Sequence, residues 1–124
     1  MKSVLISIQP KWCELIASGK KTVEVRKTRP KLDTPFKCYI YCTQGKLKDL
    51  GVIGETMYRK RMKVIGEFMC DEIRCEKELT YGLVDIVLEK NSCLSANEIG
   101  EYANGKVLYS WHISDLVTYD KPIC

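Results

Sequence analysis

The chain has no apolar run approaching the roughly 20 residues that a membrane-spanning helix needs, so no membrane partner is expected. Its opening residues, MKSVLISIQPKW, lack the apolar stretch and cleavage site of a signal peptide, so a cytoplasmic protein is expected. It has one histidine, His112, and no Cys-x-x-Cys pair. The usual ligand spacing for zinc is therefore missing, and neither a metal nor a cofactor is expected. No Ser-His-Asp order suggests a hydrolytic triad. Internal repeats, low-complexity tracts and linkers are also missing, so one domain over residues 1–124 is expected.

What is present is ordinary for a globular protein, with 45% hydrophobic and 29% charged residues. The net charge of +4 permits nucleic-acid binding without requiring it. Seven cysteines stand out for the length: Cys13, Cys38, Cys42, Cys70, Cys75, Cys93 and Cys124. Their odd number, without a secretion signal, argues against a disulfide framework. Buried free cysteine behaves as a small apolar residue, so these are read as core thiols rather than metal ligands.

Periodicity gives the order of elements. Residues 2–9 read as a strand, and Pro10 suits the first position of a helix bearing Trp12, Leu15 and Ile16 on its apolar side. Gly19 ends that helix. Residues 22–27 read as a strand, 36–42 as a second, and 63–75 as a long one bent near Asp71. Residues 83–88 read as a strand or a buried helical turn. Ser95 and Glu98 have capping-box spacing before a helix bearing Ile99, Tyr102 and Ala103. Residues 106–119 give one strand, or two joined near Asp115. Strands mostly follow one another without crossover helices, which points to a mainly antiparallel, twisted sheet closing into a small barrel.

The most informative stretch is Gly19-Lys20-Lys21-Thr22-Val23-Glu24-Val25-Arg26, a helix end running into a strand. Alternation puts Val23 and Val25 on one face, toward a core, and Thr22, Glu24 and Arg26 on the other. Paired opposite charges beside a helix end suit a polar pocket for a small polar ligand or a nucleic acid. They also fit a solvated strand face with a surface ion pair.

The pattern Gly19-x-Lys21-x-x-Glu24-x-Arg26, preceded by Pro10-Lys11-Trp12 and a short helix, resembles the ASCH domain family of the PUA-like superfamily. The segment Tyr109-Ser110-Trp111-His112-Ile113-Ser114-Asp115-Leu116 is similar to the closing strand of small bacterial and phage-encoded ASCH proteins. The resemblance covers nearly the whole chain and is weakest over residues 44–62. It implies an α+β, mainly β fold: a PUA-like barrel, twisted and mostly antiparallel, with two flanking helices and a cleft beside the first. It further implies RNA or a modified nucleoside as ligand, with Lys21, Thr22, Glu24, Arg26, Trp111 and Ser114 in contact.

Some ASCH members are enzymes. One group hydrolyses the acetyl amide of N4-acetylcytidine with a lysine, a threonine nucleophile and a glutamate, and others are described as ribonucleases. The lysine falls on Lys21, but the threonine position holds Glu24, which cannot repeat hydroxyl chemistry. Thr22 shares the strand face but not the spacing, and Glu89 is the nearest candidate for the glutamate. The leading expectation is therefore an RNA- or nucleoside-binding domain. The alternative is a small metal-independent amidohydrolase or ribonuclease, with Lys21 as base and Glu24 as acid or orienting group.

Other candidates carry two readings each. Arg26 suits a phosphate or base edge through its planar fork, and on an open strand face its loss should cost binding more than stability. Trp111 fits either core packing or base stacking. His112 reads as a structural hydrogen-bonding residue ahead of a catalyst. The run Arg59-Lys60-Arg61-Met62-Lys63, with Lys46 and Lys48 upstream, fits either a solvated loop or a contact to the phosphate backbone.

Overall fold

Alternation of apolar and polar side chains builds the sheet. In a computed structural model, which describes residues 2–124, the strands are β1 (Ser3–Ile8), β2 (Val23–Arg26), β3 (Phe36–Cys42), β4 (Lys63–Glu76) and β5 (Leu108–Ile123). In β3, Phe36, Cys38, Ile40 and Cys42 are all buried, while Lys37, Tyr39 and Tyr41 between them are half-buried. The helices are α1 (Pro10–Ala17), α2 (Glu55–Arg59), α3 (Ile86–Ser92) and α4 (Ala96–Ala103), with 3-10 turns at Leu47–Val52 and Lys77–Tyr81. Pro10 opens α1, which buries Pro10, Cys13 and Ile16. Gly19 leaves it at φ +82, a conformation that a β-carbon would strain.

The strand order is β1-β3-β4-β5-β2. β1 runs parallel to β3, and the other three pairings are antiparallel. One core lies on the side of the sheet that α1 covers, around Phe68, Ile40, Trp111 and the thiols of Cys13, Cys38, Cys42 and Cys70. Each fully buried large apolar side chain there contributes roughly 1.5–3 kcal/mol. A second core, Val25, Leu79, Leu88, Ile99, Ala103 and Leu108, lies on the other side under α3 and α4.

The structure corrects two expectations and decides a third. The sheet does not close: β1 and β2 are its two edges and share no backbone ladder. Helices are more numerous than the two expected. Of the two readings of residues 83–88, the helical one holds from Ile86, where α3 begins, but most of the run is exposed rather than buried. Asp85 accepts from Val87 N–H at 2.8 Å and caps α3, and only Leu88 of the apolar run is buried. Leu83, Ile86 and Val87 are exposed, so the run has too few inward positions for a core strand.

Two irregularities sit where the sequence places them. The register of β4 against β5 slips between Cys70 and Ile73, beside Asp71, and Asp115 in β5 has φ +49. A β-carbon on Gly66 would stand 2.5 Å from the Val117 carbonyl oxygen, so this close approach of β4 to β5 requires glycine.

Candidate functional site

The exit from α1 delivers Lys21 to the interior. Gly19 N–H donates to Ile16 O at 3.0 Å, and the N–H groups of Lys20 and Lys21 both return to Leu15 O, at 3.1 and 3.0 Å. This tight reversal turns the Lys21 side chain inward, where it is 1% exposed. Its Nζ lies 3.5 Å from Glu24 Oε1 and donates to Ser92 O at 2.7 Å. Ser92 ends α3, so the ammonium also satisfies one of that helix's terminal carbonyls, at the negative end of its dipole. Burial holds the Lys21 ammonium below its usual pKa, with Glu24 pulling in the opposite direction.

Glu24 is the hub. Its Oε2 takes Arg26 Nη2 at 3.0 Å, and the same Nη2 donates to Ser7 O of β1 at 2.8 Å. Arg26 therefore spans the gap between the two sheet edges with a side chain where no backbone ladder exists. It is not on an open face, and the expectation that it matters little for stability is revised. Its Nε is buried and has no protein acceptor among the described residues.

These three residues lie at one side of an open cleft of ≈ 760 Å³, bounded by the start of α1, residues 46–49, β2 and α4. That volume falls in the roughly 300–1,000 Å³ range of small-molecule sites. Six basic and four acidic side chains line it, giving a positive excess. Trp12 and Tyr102 supply the aromatic surface. Lys11 and Lys21 Nζ stand 4.5 and 5.3 Å from the Trp12 ring centre, and Lys27 Nζ 4.7 Å from that of Tyr102.

The other candidates are distributed differently. Thr22 is held by its backbone, donating to Asn91 O and accepting from Ile113 N–H, each at 2.9 Å. Trp111 is 4% exposed and packs edge-on against Phe36 with ring centres 5.8 Å apart, which is the core-packing arrangement. Ser114 donates to Met69 O at 2.8 Å. Arg59 pairs with Glu55, and Arg61 lies over the Tyr58 ring and donates to Gln44 O at 3.1 Å. Neither they nor Lys60 line the cleft, whereas Lys46 and Lys48 do. Glu89 also lies outside it. His112 Nδ1 is 2.7 Å from Asp71 Oδ1. Burial opposes ionisation of Asp71, but this bond holds its carboxyl below the usual range.

Sequence reading missed Trp12, Lys27 and the α4 contribution of Glu98, Glu101 and Tyr102. The i, i+3, i+4 spacing of those last three residues puts them on one helix face and was the available signal.

Comparison with known proteins gives the fold and the family. No curated protein matches the chain. A crystal structure of ASCH from Zymomonas mobilis superposes with a TM-score of 0.72 at 24% identity, covering 98% of this chain and 73% of that one. Two single-substitution variants of the same Zymomonas mobilis protein superpose with TM-scores of 0.69 and 0.70, at 22% and 24% identity. They cover 99% and 98% of this chain and 76% and 73% of theirs, and all three are likenesses of fold. The sequence pattern that defines the ASCH domain matches residues 6–121, and this chain belongs to the ASCH domain family.

Proposed function

We propose that this ASCH domain binds RNA or a nucleoside in the cleft beside α1. The observation that carries the reading is the Lys21–Glu24–Arg26 cluster, which lines a cleft with a basic excess and two aromatic side chains. Arg26 offers guanidinium donors to a phosphate or base edge, Glu24 an acceptor for an exocyclic amine, and Trp12 and Tyr102 aromatic surface for a base. Lys46 and Lys48 line the cleft wall and suit backbone phosphates, while Arg59, Lys60 and Arg61 suit a continuation of the strand beyond it. The association of the ASCH family with RNA supports the same conclusion. Titration of labelled single-stranded and hairpin RNA at several salt concentrations tests it. Affinity should fall as salt rises, through counterion release, and an absence of binding at low salt would refute the reading.

A catalytic reading has one observation in its favour. Desolvation lowers the pKa of Lys21, as a lysine base requires. Against it, Nζ is already engaged by Ser92 O and Glu24. Incubation with N4-acetylcytidine and with RNA separates the two. Product formation that Lys21→Ala abolishes, in a protein that still melts cooperatively, establishes the enzyme.

A further inference from the structure

The sheet face turned away from the cleft carries a second, smaller pocket of ≈ 110 Å³ between the sheet and α3. Strand alternation puts Val23 and its partner His112 on this face, along with Ser110, the partner of Val25. Glu76 of β4 lines the pocket and is 8% exposed. Ser110 Oγ donates to its Oε1 at 2.8 Å. Among the described residues no lysine, arginine or histidine pairs with Glu76, and no side-chain donor besides Ser110 reaches it. A carboxylate removed from water without a counter-charge is costly. His112 lines the pocket but is held by Asp71, and Asp85 is committed to capping α3.

We propose that this pocket binds a primary alkylammonium group. Glu76 supplies the charge and an acceptor oxygen. The apolar wall of Val23, Val87 and Leu88 suits an alkyl stem, which lies along apolar surface while its charged end reaches a polar partner. The volume is far below the roughly 300–1,000 Å³ of sites that enclose whole small molecules, so the pocket takes one functional group. Glu72, Glu76 and Asp85 outweigh Arg74 around it, which favours a cation although the whole chain carries +4. The carboxylates do not converge as a metal would need: among the described residues no three His, Cys, Asp or Glu side chains group to hold an ion. The group belongs either to a free polyamine or to a lysine side chain of another protein.

The test is titration of the full chain with cadaverine and with Nα-acetyl-lysine methylamide, followed through backbone amide signals of Asn91, Ser110 and His112. Saturable shifts with either probe, weakened by salt, are expected. Binding of cadaverine alone points to a free polyamine, and binding of the lysine amide alone points to a protein side chain. Tetramethylammonium, which has no N–H donor, should shift these signals at least 10-fold less. Glu76→Gln should weaken binding at least 10-fold, while Arg26→Lys in the cleft leaves it unchanged. Should Glu76→Gln fold poorly, Val87→Lys at the exposed rim tests the same site by offering the pocket an ammonium from the chain itself. That variant should abolish binding of the added probe. No shift with either probe at millimolar concentration, or equal binding by Glu76→Gln or Val87→Lys, overturns the proposal.

Discussion

Glu24 and Glu76 are both 8% exposed and sit on opposite faces of the same part of the sheet, yet their surroundings differ. Glu24 has two cations, Lys21 at 3.5 Å and Arg26 at 3.0 Å. Glu76 has one hydroxyl and a small pocket. The difference shows that burial alone says little about what a charged group does. Glu24 is bound into the architecture, because its partners tie α3 and β1 to β2. Glu76 anchors nothing comparable.

The sharpest way to break this comparison is to delete each carboxylate. Glu24→Ala strands Lys21 in the interior with only Ser92 O, and should cost about 3–5 kcal/mol by denaturant unfolding. Glu76→Ala loses one hydroxyl contact and should cost no more than about 1.5 kcal/mol. Equal losses would show that Glu24 is no hub.

Arg26→Ala comes next. It removes charge-assisted bonds to Glu24 and to Ser7 O, so a loss of about 1.5–3 kcal/mol is expected. Thermal melting should drop by roughly 5–15 °C in a chain of this size. The same variant should weaken RNA binding, and Arg26→Lys should restore stability better than affinity, because lysine lacks the planar fork. Normal RNA affinity in a destabilised Arg26→Ala protein would make the arginine structural only.

The effect of pH on Lys21 is smaller. Its folded pKa lies below the usual 10.5 because of burial, so between those two values the unfolded chain binds more protons than the folded one. Stability contributed through this group therefore rises with pH across that window and levels off above it. Unfolding free energy measured from pH 8 to 10.5 should show a more positive slope for the wild type than for Lys21→Met. Matching slopes would mean that Lys21 is not desolvated as the structure has it.

The smallest stability change is expected on the exposed basic run. Arg59→Ala with Lys60→Ala should shift stability by no more than about 0.5 kcal/mol. If that surface continues the RNA path, each lost phosphate contact lowers the slope of log affinity against log salt by about 0.7 for a single strand. An unchanged slope would confine RNA to the cleft.

Much of the fold was legible because it rests on local rules. Alternation in Phe36–Cys42, the proline that opens α1, Gly19 at its exit and the Ser95–Glu98 capping box each act within a few residues. The capping box is made in both directions, with Glu98 N–H to Ser95 Oγ at 3.1 Å and Ser95 N–H to Glu98 Oε1 at 3.0 Å. Residues 83–88 stayed open between two readings because a short apolar run fits strand or helix equally, and the decision fell to Asp85 as a cap. In the candidate cleft, the Lys21–Glu24–Arg26 grouping was legible because its members lie within six residues. Trp12, Lys27 and Tyr102 were not, because their convergence depends on how α1, β2 and α4 pack.

The sequence by itself determined which faces of β1 and β3 turn inward, where α1 and α4 begin, and that Lys21, Glu24 and Arg26 would be neighbours. Those follow from side-chain periods and from hydrogen bonds that close over three or four residues. Only the tertiary structure decided that the sheet stays open and that Arg26 reaches across it to Ser7. It also put Trp111 in the core and, among the described residues, left Glu76 without a cation. Each of these depends on groups distant in the chain, 19 residues apart for Ser7 and Arg26 and 34 for Glu76 and Ser110. Their meeting is set by strand order and packing, and no local pattern in the sequence encodes it.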